Sequence, residues 1–323
     1  MKKQTILVTG GAGYIGSHTA RLLLEKHYDV IIIDSLINGH KESVDKRAKF
    51  YNIDLGDKDA IRKVFEENKI DCVIHFAAFI EAGESMVNPK KFFRNNVINT
   101  LNLLDIMLEK DVKKIIFSST AAVYGEPEYT PIDEKHPKKP TNYYGLTKLM
   151  IERILDSYNH AYGLKYIALR YFNACGAHPK ADLGENHNPE THLIPLILQA
   201  AKGEREKIMV FGTDYKTKDG SCIRDYIHVC DLAEAHIKAM KRLDQLNADQ
   251  FNLGNGKGYS VLEVIDACKK ITKKDFKVEL TSRRPGDPAI LIADYSKAKK
   301  ILGWSPKHDL KSIIKTAWRW HKR

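Results

Sequence analysis

The stretch Ile6-Leu-Val-Thr-Gly10-Gly-Ala-Gly13-Tyr-Ile-Gly16 constrains this chain more than any other. An apolar run from Ile6 to Val8 reads as a buried strand. It breaks at Thr9-Gly10, and the glycines at 10, 13 and 16 lead into an amphipathic segment that reaches Lys26. Strand, glycine turn and helix in that order set a helix N-terminus against a phosphate. The glycines let the backbone approach a pyrophosphate and let the helix pack on the strand. Asp34 closes the next apolar run, Val30 to Ile33, eighteen residues after Gly16. A carboxylate there accepts hydrogen bonds from an adenosine ribose and repels a 2′-phosphate, so NAD is expected and NADP is not. The glycines alone would also fit a flexible turn. The strand before them, the helix after them and the spacing of the acid make the motif specific.

Up to about Tyr171 strands alternate with helices. Strands are expected at Ile6–Thr9, Val30–Asp34, Lys49–Asn52, Cys72–Phe76, Lys114–Ser119 and Tyr166–Tyr171, and helices at Tyr14–Lys26, Lys58–Asn68, Pro89–Glu109 and Tyr143–Tyr162. That alternation predicts an α/β fold with a doubly wound parallel (Rossmann) sheet. The pattern changes after Asn173. Gly176 to Glu190 reads as a long ordered loop, followed by helix Leu193–Lys202, strands Met209–Phe211 and Arg224–His228, helix Asp231–Leu243, strand Phe251–Leu253, helix Val261–Thr272, strand Val278–Thr281 and two C-terminal helices. We expect a cofactor domain over residues 1–175 and a smaller mixed α/β substrate domain over 176–323, with the chain crossing between the two.

The 323 residues suffice for one large or two modest cores, and the 43% hydrophobic content is ordinary for a globular protein. No apolar run is long enough to span a membrane. The N-terminal Met1-Lys-Lys-Gln enters the first strand at once, leaving no room for a signal peptide. The cysteines, 72, 175, 222, 230 and 268, are odd in number, scattered and without a CxxC pair, which suggests reduced thiols in a cytoplasm. The net charge of +11 comes from lysines spread along the chain, so it favours capture of an anionic substrate over nucleic acid. His178, His187, His192 and His228 match no ligand spacing, and no metal is expected.

Tyr144 and Lys148 lie four apart on one expected helix and share a face. Tyrosine is a poor base at its reference pKa of about 10. A nearby ammonium favours the phenolate, as would a positive nicotinamide ring, and the pair can then take a proton from a sugar hydroxyl. A second Tyr-x-x-x-Lys, Tyr295 and Lys299, is read as a surface pair. Tyr144 differs in lying about 25 residues after a strand that ends in Ser118-Ser119-Thr120, whose hydroxyls can face a crevice at the strand's end or simply cap a turn.

TGGAGYIG with Asp34, HFAA at His75–Ala78, SST at Ser118–Thr120 and YYGLTK at Tyr143–Lys148 together resemble the extended short-chain dehydrogenase/reductase superfamily. RYFNACGAH at Arg170–His178, THLIP at Thr191–Pro195, the stretch Val210–Val229 and RRPGD at Arg283–Asp287 resemble its UDP-glucose 4-epimerase family, from about Thr5 to Trp320. The resemblance implies that Gly10, Gly13 and Gly16 take the NAD pyrophosphate, Asp34 the adenosine ribose and Asp54-Leu55 the adenine, with Tyr14, Ile15 and Asn38 also at the cofactor. Phe76, Ala77, Ala78, Asn95, Ser118 and Tyr171 would line the rest of the cofactor channel. Thr120 would bond the sugar O4 beside Tyr144, and Lys148 would hold the nicotinamide ribose. Asn173, His192, Leu193 and Phe211 would meet the nucleotide, with Arg224 and Arg284 on the diphosphate, Asp287 on the uridine ribose and Leu291 at the wall of the sugar pocket. Arginine's rigid fork of donors suits phosphate oxygens, although Arg224 could instead pair with Asp225 and Arg283-Arg284 could be a solvated pair.

The implied activity is reversible inversion at C4 of UDP-galactose and UDP-glucose by a homodimer. The dimer would use helices Pro89–Glu109 and Tyr143–Tyr162, where Leu101, Leu104, Ile106, Leu108, Leu146, Met150, Ile154 and Leu155 offer excess apolar surface. Some residues depart from the family pattern: Ile80 replaces a lysine, His192 an asparagine and Ser35 an asparagine. Three alternatives stand beside this reading. A sugar 4,6-dehydratase would need an acidic pair where Ala121-Ala122 stand. An epimerase or decarboxylase of UDP-uronic acids would need further cations. An NAD-sensing regulator would usually lack the Tyr or the Lys.

Overall fold

The computed structural model describes residues 3–284 and 287–323. Met1-Lys2 and the Pro285-Gly286 of the RRPGD motif lie outside the described residues. The elements run β1 (Thr5–Thr9), α1 (Tyr14–Glu25), β2 (Asp29–Asp34), β3 (Lys49–Asn52), α2 (Lys58–Glu67), β4 (Cys72–His75), α3 (Ala82–Val87), α4 (Pro89–Phe92), α5 (Asn99–Glu109), β5 (Lys114–Thr120), α6 (Tyr143–Tyr162) and β6 (Lys165–Tyr171). Then follow β7 (Asn173–Cys175), α7 (Leu193–Lys202), β8 (Lys207–Phe211), β9 (Ile223–His228), α8 (Val229–Leu246), β10 (Ala248–Leu253), β11 (Gly258–Ser260), α9 (Val261–Thr272), β12 (Lys277–Thr281), β13 (Ile290–Leu291) and α10 (Leu310–His321).

The first sheet has seven strands in the order β10-β6-β5-β4-β1-β2-β3. β1 pairs in parallel with β2 (Val8 opposite Ile32) and with β4 (Val8 opposite Ile74). Ile6, Leu7 and Val8 are wholly buried, as a central parallel strand covered on both faces requires. The strand order reverses between β1 and β4, and in such sheets ligands sit at the carboxyl ends beside that reversal. This is the doubly wound sheet expected from the alternation.

Three expectations change. The helix expected over Pro89–Glu109 is interrupted by a π-helical turn at Phe93–Ile98 between α4 and α5. The wider turn lets the buried Asn96 side chain bond both the N–H (2.9 Å) and the carbonyl (3.0 Å) of Phe79, which a uniform helix would misdirect. The strand expected at Phe251–Leu253 is longer, and it joins the first sheet at its edge beside β6. Of the two helices expected at the C-terminus, the first is only a π-helical turn at Ala298–Leu302.

By packing the chain divides into two units: Met1–Gly125, Pro137–Arg170 and Ala233–Phe251 form one; Glu126–His136, Tyr171–Leu232 and Asn252–Arg323 form the other. The first is built on the seven-stranded sheet. Its core holds Leu7, Val73, Leu103, Ile115, Phe117, Ile151 and Leu155. The second has a small sheet in which β9 is paired by β7, β11 and β13, and a parallel pair β8·β12. Its helices α7, α9 and α10 close on Ile197, Leu198, Val264, Ile265, Ile313 and Ile314. α9 starts with a Ser260–Glu263 capping box, and α7 ends at Gly203 with φ of +86°. Among the described residues no helix is long and apolar enough to cross a membrane, and the five cysteines form no disulfide.

Candidate active site

The glycine turn after β1 is tight. Gly10 has φ of +72°, and a Cβ there would come within 2.6 Å of the Ala77 backbone nitrogen, so β1 and the segment after β4 touch at backbone level. Gly13 is the N-cap of α1. No side chain caps that end, and no acidic residue sits in its first turn. The helix start therefore lacks an anion of its own, which suits a phosphate supplied from outside. Gly13, Tyr14 and Ile15 keep some exposure there, as do Phe76, Ala77 and Ala78.

Asp34 ends β2 nearly buried. Its oxygens accept from the Ala12 N–H (2.9 Å) and the Leu36 N–H (2.8 Å), which fixes the carboxylate and leaves lone pairs for ribose hydroxyls. Burial pushes the carboxyl up from its ordinary value, and the two N–H groups draw it back. Asn38 is exposed, and its amide donates to Glu81 (3.3 Å). Asp54 caps the next turn through the Gly56 N–H (2.6 Å), while Leu55 belongs to the core. Asn95 donates to Asn96 (3.0 Å), so Asn96 is the residue that clamps Phe79. Tyr171 is the last residue of β6 and stays half-buried. Uncapped helix start, close backbone approach and fixed carboxylate together fit a dinucleotide.

α6 carries Tyr144 and Lys148. Asn142 caps it by accepting from the Gly145 N–H (2.8 Å). A Cβ on Gly145 would lie 2.5 Å from the Ala122 carbonyl oxygen, so the helix start sits hard against the turn after β5. That contact sets Tyr144 within hydrogen-bond reach of Thr120. Lys148 is 2% exposed, and its Nζ donates to the Ser118 carbonyl at 2.9 Å. Four residues on, Glu152 accepts from Ser119 (2.6 Å) and forms a buried ion pair with Arg170, which also donates to Tyr124 (3.0 Å). Glu152 and Arg170 escaped notice in the sequence, although Glu152 repeats the i,i+4 spacing that joins Tyr144 to Lys148.

The electrostatics differ from the expectation at one point. Burial raises the Tyr144 phenol to about 12, with the Thr120 hydroxyl opposing it. Burial also lowers Lys148 to about 7, against the pull of Glu152. The Lys148 ammonium lies 4.9 Å from the Phe117 ring centroid and 6.0 Å from that of Tyr144. In the chain alone, desolvation outweighs any help Lys148 gives the phenolate. The second Tyr-x-x-x-Lys is unlike it: Tyr295 packs edge-on against Trp304 and Lys299 is exposed.

The second unit gathers the anion-binding candidates around β9. Arg224 donates to the Ile223 and Pro288 carbonyls (2.9 and 2.8 Å) and pairs with Asp287 (3.4 Å). The alternative partner, Asp225, is fully buried and accepts instead from the N–H groups of Asn255, Gly256 and Ala293; burial raises it to about 6. Asn173 on β7 donates to the Asp225 carbonyl (2.9 Å). Leu291 stands opposite Arg224 in the β13·β9 register and shares its sheet face. Arg284 lies 3.7 Å over the Phe211 ring, whereas Arg283 is tied to Asp214 (2.7 Å) and stacks on Tyr215. His192 is the N-cap residue of α7 and Leu193 its first residue. His187 and His192 converge on Glu185 and Glu190, a grouping the histidine spacing gave no sign of because the carboxylates were not counted.

A description of the NAD-dependent epimerase/dehydratase family matches residues 6–254. A UDP-glucose 4-epimerase of Halalkalibacterium halodurans is 53% identical over 319 residues, 98% of this chain and 95% of that one. A solved UDP-glucose 4-epimerase superposes with a TM-score of 0.97 at 50% identity, covering 99% of this chain and 98% of that chain. The Bifidobacterium longum UDP-glucose 4-epimerase, solved in complex with NAD+ and UDP, superposes with a TM-score of 0.94 at 42% identity over 99% of this chain and 98% of that chain. Matches of this length and identity fix the relationship: the chain belongs to the NAD-dependent epimerase/dehydratase family, among its UDP-glucose 4-epimerases.

Proposed function

We infer that the chain is an NAD-dependent isomerase that inverts C4 of UDP-galactose and UDP-glucose. The observation that carries this reading is Lys148 anchored by its Nζ on the Ser118 carbonyl at the end of β5, one turn of α6 from Tyr144, whose phenol the Thr120 hydroxyl favours in its ionised form. Thr120 holds the sugar O4, and Tyr144 takes its proton and later returns it. Gly10, Gly13 and Gly16 receive the cofactor pyrophosphate, Asp34 its adenosine ribose and Lys148 its nicotinamide ribose. When bound, NAD supplies reversible two-electron oxidation at C4 and a positive ring charge beside the phenol. Tyr144 depends on that charge, because burial alone holds it protonated.

The nucleotide is held by Arg224, Arg284, Asp287, Asn173, Phe211, His192 and Leu193. Remote binding of this kind lets the keto sugar turn about its diphosphate link and present its other face. Arg284 must leave the Phe211 face for a uracil to use it. A 4,6-dehydratase would need acids after Thr120, where Ala121 and Ala122 open a short 3₁₀ turn. Tyr144→Phe is expected to lower kcat by roughly 10²–10⁴-fold with UDP binding retained, while Tyr295→Phe leaves kcat unchanged. A Tyr144→Phe enzyme turning over near the wild-type rate removes Tyr144 as the base.

Leu291 gates the sugar. Its branched side chain beside Arg224 crowds a 2-acetamido group without closing the pocket. UDP-galactose is then the preferred substrate and UDP-N-acetylgalactosamine a poor one. Leu291→Ser raises kcat/KM for the acetamido sugar by roughly ten- to a hundred-fold. An unchanged ratio of the two kcat/KM values assigns the gate elsewhere.

The enzyme acts as a cytoplasmic homodimer joined through α4, α5 and α6, without nucleic acid or membrane. The surface for this is narrower than the sequence suggests, because Leu104, Ile106 and Leu155 fill the chain's own core. Ile98 (51%) and Met150 (37%) remain exposed for the contact. Light scattering at micromolar concentration should give twice the chain mass, and a monomer mass rejects the dimer.

A further inference from the structure

Away from α6, one cluster of side chains brings together groups that could hold a metal ion. Glu185, His187 and Glu190 lie at the end of the long loop, and His192 occupies the N-cap position of α7. One ligand atom from each lies within 4.8 Å of all the others. The carboxylates are almost wholly enclosed, with side-chain exposures of 4% for Glu185 and 6% for Glu190. Both imidazoles present Nδ1 to both carboxylates. His192 Nδ1 is 3.0 Å from Glu185 and 2.9 Å from Glu190; His187 Nδ1 is 3.4 and 3.6 Å from the same two residues.

Four ligands about 2.0–2.1 Å from a tetrahedral zinc stand about 3.3 Å from one another. The four measured N···O separations bracket that edge. His187 is spread between two carboxylates at distances longer than an ordinary N–H···O bond of about 2.7–3.2 Å, as a group aimed at a shared centre would be. The set is held from behind: the Trp320 indole donates to the Glu185 carbonyl (2.9 Å), and the Thr191 and His192 N–H groups donate to Glu190 (both 2.8 Å). Two carboxylates and two neutral imidazoles balance a dication. The two nitrogens favour zinc over the oxygen-seeking calcium and magnesium.

We propose that Glu185, His187, Glu190 and His192 form a structural zinc site that pins the loop before α7. All four positions come from protein, so the site is closed and takes no part in the chemistry at Tyr144. Zinc on His192 Nδ1 leaves the ring's Nε2 as a donor for the diphosphate. The competing state is a paired cluster without metal. Burial works against charged imidazoles there, but Glu185 and Glu190 outweigh it and push His187 up to about 9 and His192 to about 10. Zinc must displace those protons, so its uptake is weaker at low pH and releases acid.

The test uses the full chain purified without chelator. Metal analysis should find about one zinc per chain. Stripping with EDTA should lower Tm, and zinc chloride alone should restore it by roughly 5 °C. Both effects should vanish in His187→Ala and in Glu190→Gln, each checked for folding by circular dichroism and for epimerase activity. The wild-type strip-and-restore measurement stands without the variants. Absence of zinc after purification, together with a wild-type Tm that neither EDTA nor zinc chloride moves, overturns the site and assigns the cluster to paired imidazolium and carboxylate groups.

Discussion

Helix α6 lies against the end of β5 with only a glycine's clearance between Gly145 and the Ala122 carbonyl. The placement of Tyr144, Lys148 and Glu152 depends on that approach. It sets Tyr144 beside Thr120, and one turn later it drops Lys148 onto the Ser118 carbonyl. One further turn along, Glu152 meets Ser119 and Arg170. Three consecutive strand-end residues, Ser118, Ser119 and Thr120, thus meet three successive turns of one helix. A side chain at 145 would lift the helix and dissolve all three contacts together.

That docking has an electrostatic cost, and the fold meets it with specific partners. Lys148 is buried among Phe117, Ser118 and Tyr144, so its ammonium is disfavoured, and Glu152 offsets part of the loss. Glu152 in turn is buried, and Arg170 satisfies both its oxygens. Breaking such a pair from one side typically costs about 3–5 kcal/mol, because the remaining charge is left in low dielectric. Burial and the Lys148 charge keep His75 neutral, lowering it to about 3, and its ring is held between the Thr9 and Thr100 hydroxyls. In the chain alone, burial therefore favours the protonated Tyr144 phenol.

The local grammar of the fold was legible in the sequence. Helices α7 and α9 have the bounds expected of them, because Gly203 stops one and the Ser260–Glu263 box starts the other. What escaped depends on contacts between distant residues. Nothing local tells Ala248–Leu253 that its partner is β6. Arg224 has a carboxylate next door in Asp225, yet it pairs with Asp287, because Asp225 is consumed by three backbone N–H groups. The π-helical turn that aims Asn96 at Phe79 has no compositional mark. The convergence of His187 and His192 was hidden because two of the four groups are glutamates and the loop between them has no regular period.

On the proposed reaction, NAD is used and regenerated within one site, so that no oxidant is consumed. The direct measurement is to incubate the purified chain with UDP-galactose, adding no cofactor, and to follow the nucleotide sugars by chromatography. The account predicts conversion to an equilibrium mixture with UDP-glucose over many turnovers per chain. Failure to form UDP-glucose, or formation only in proportion to NAD or NADP added, would contradict it.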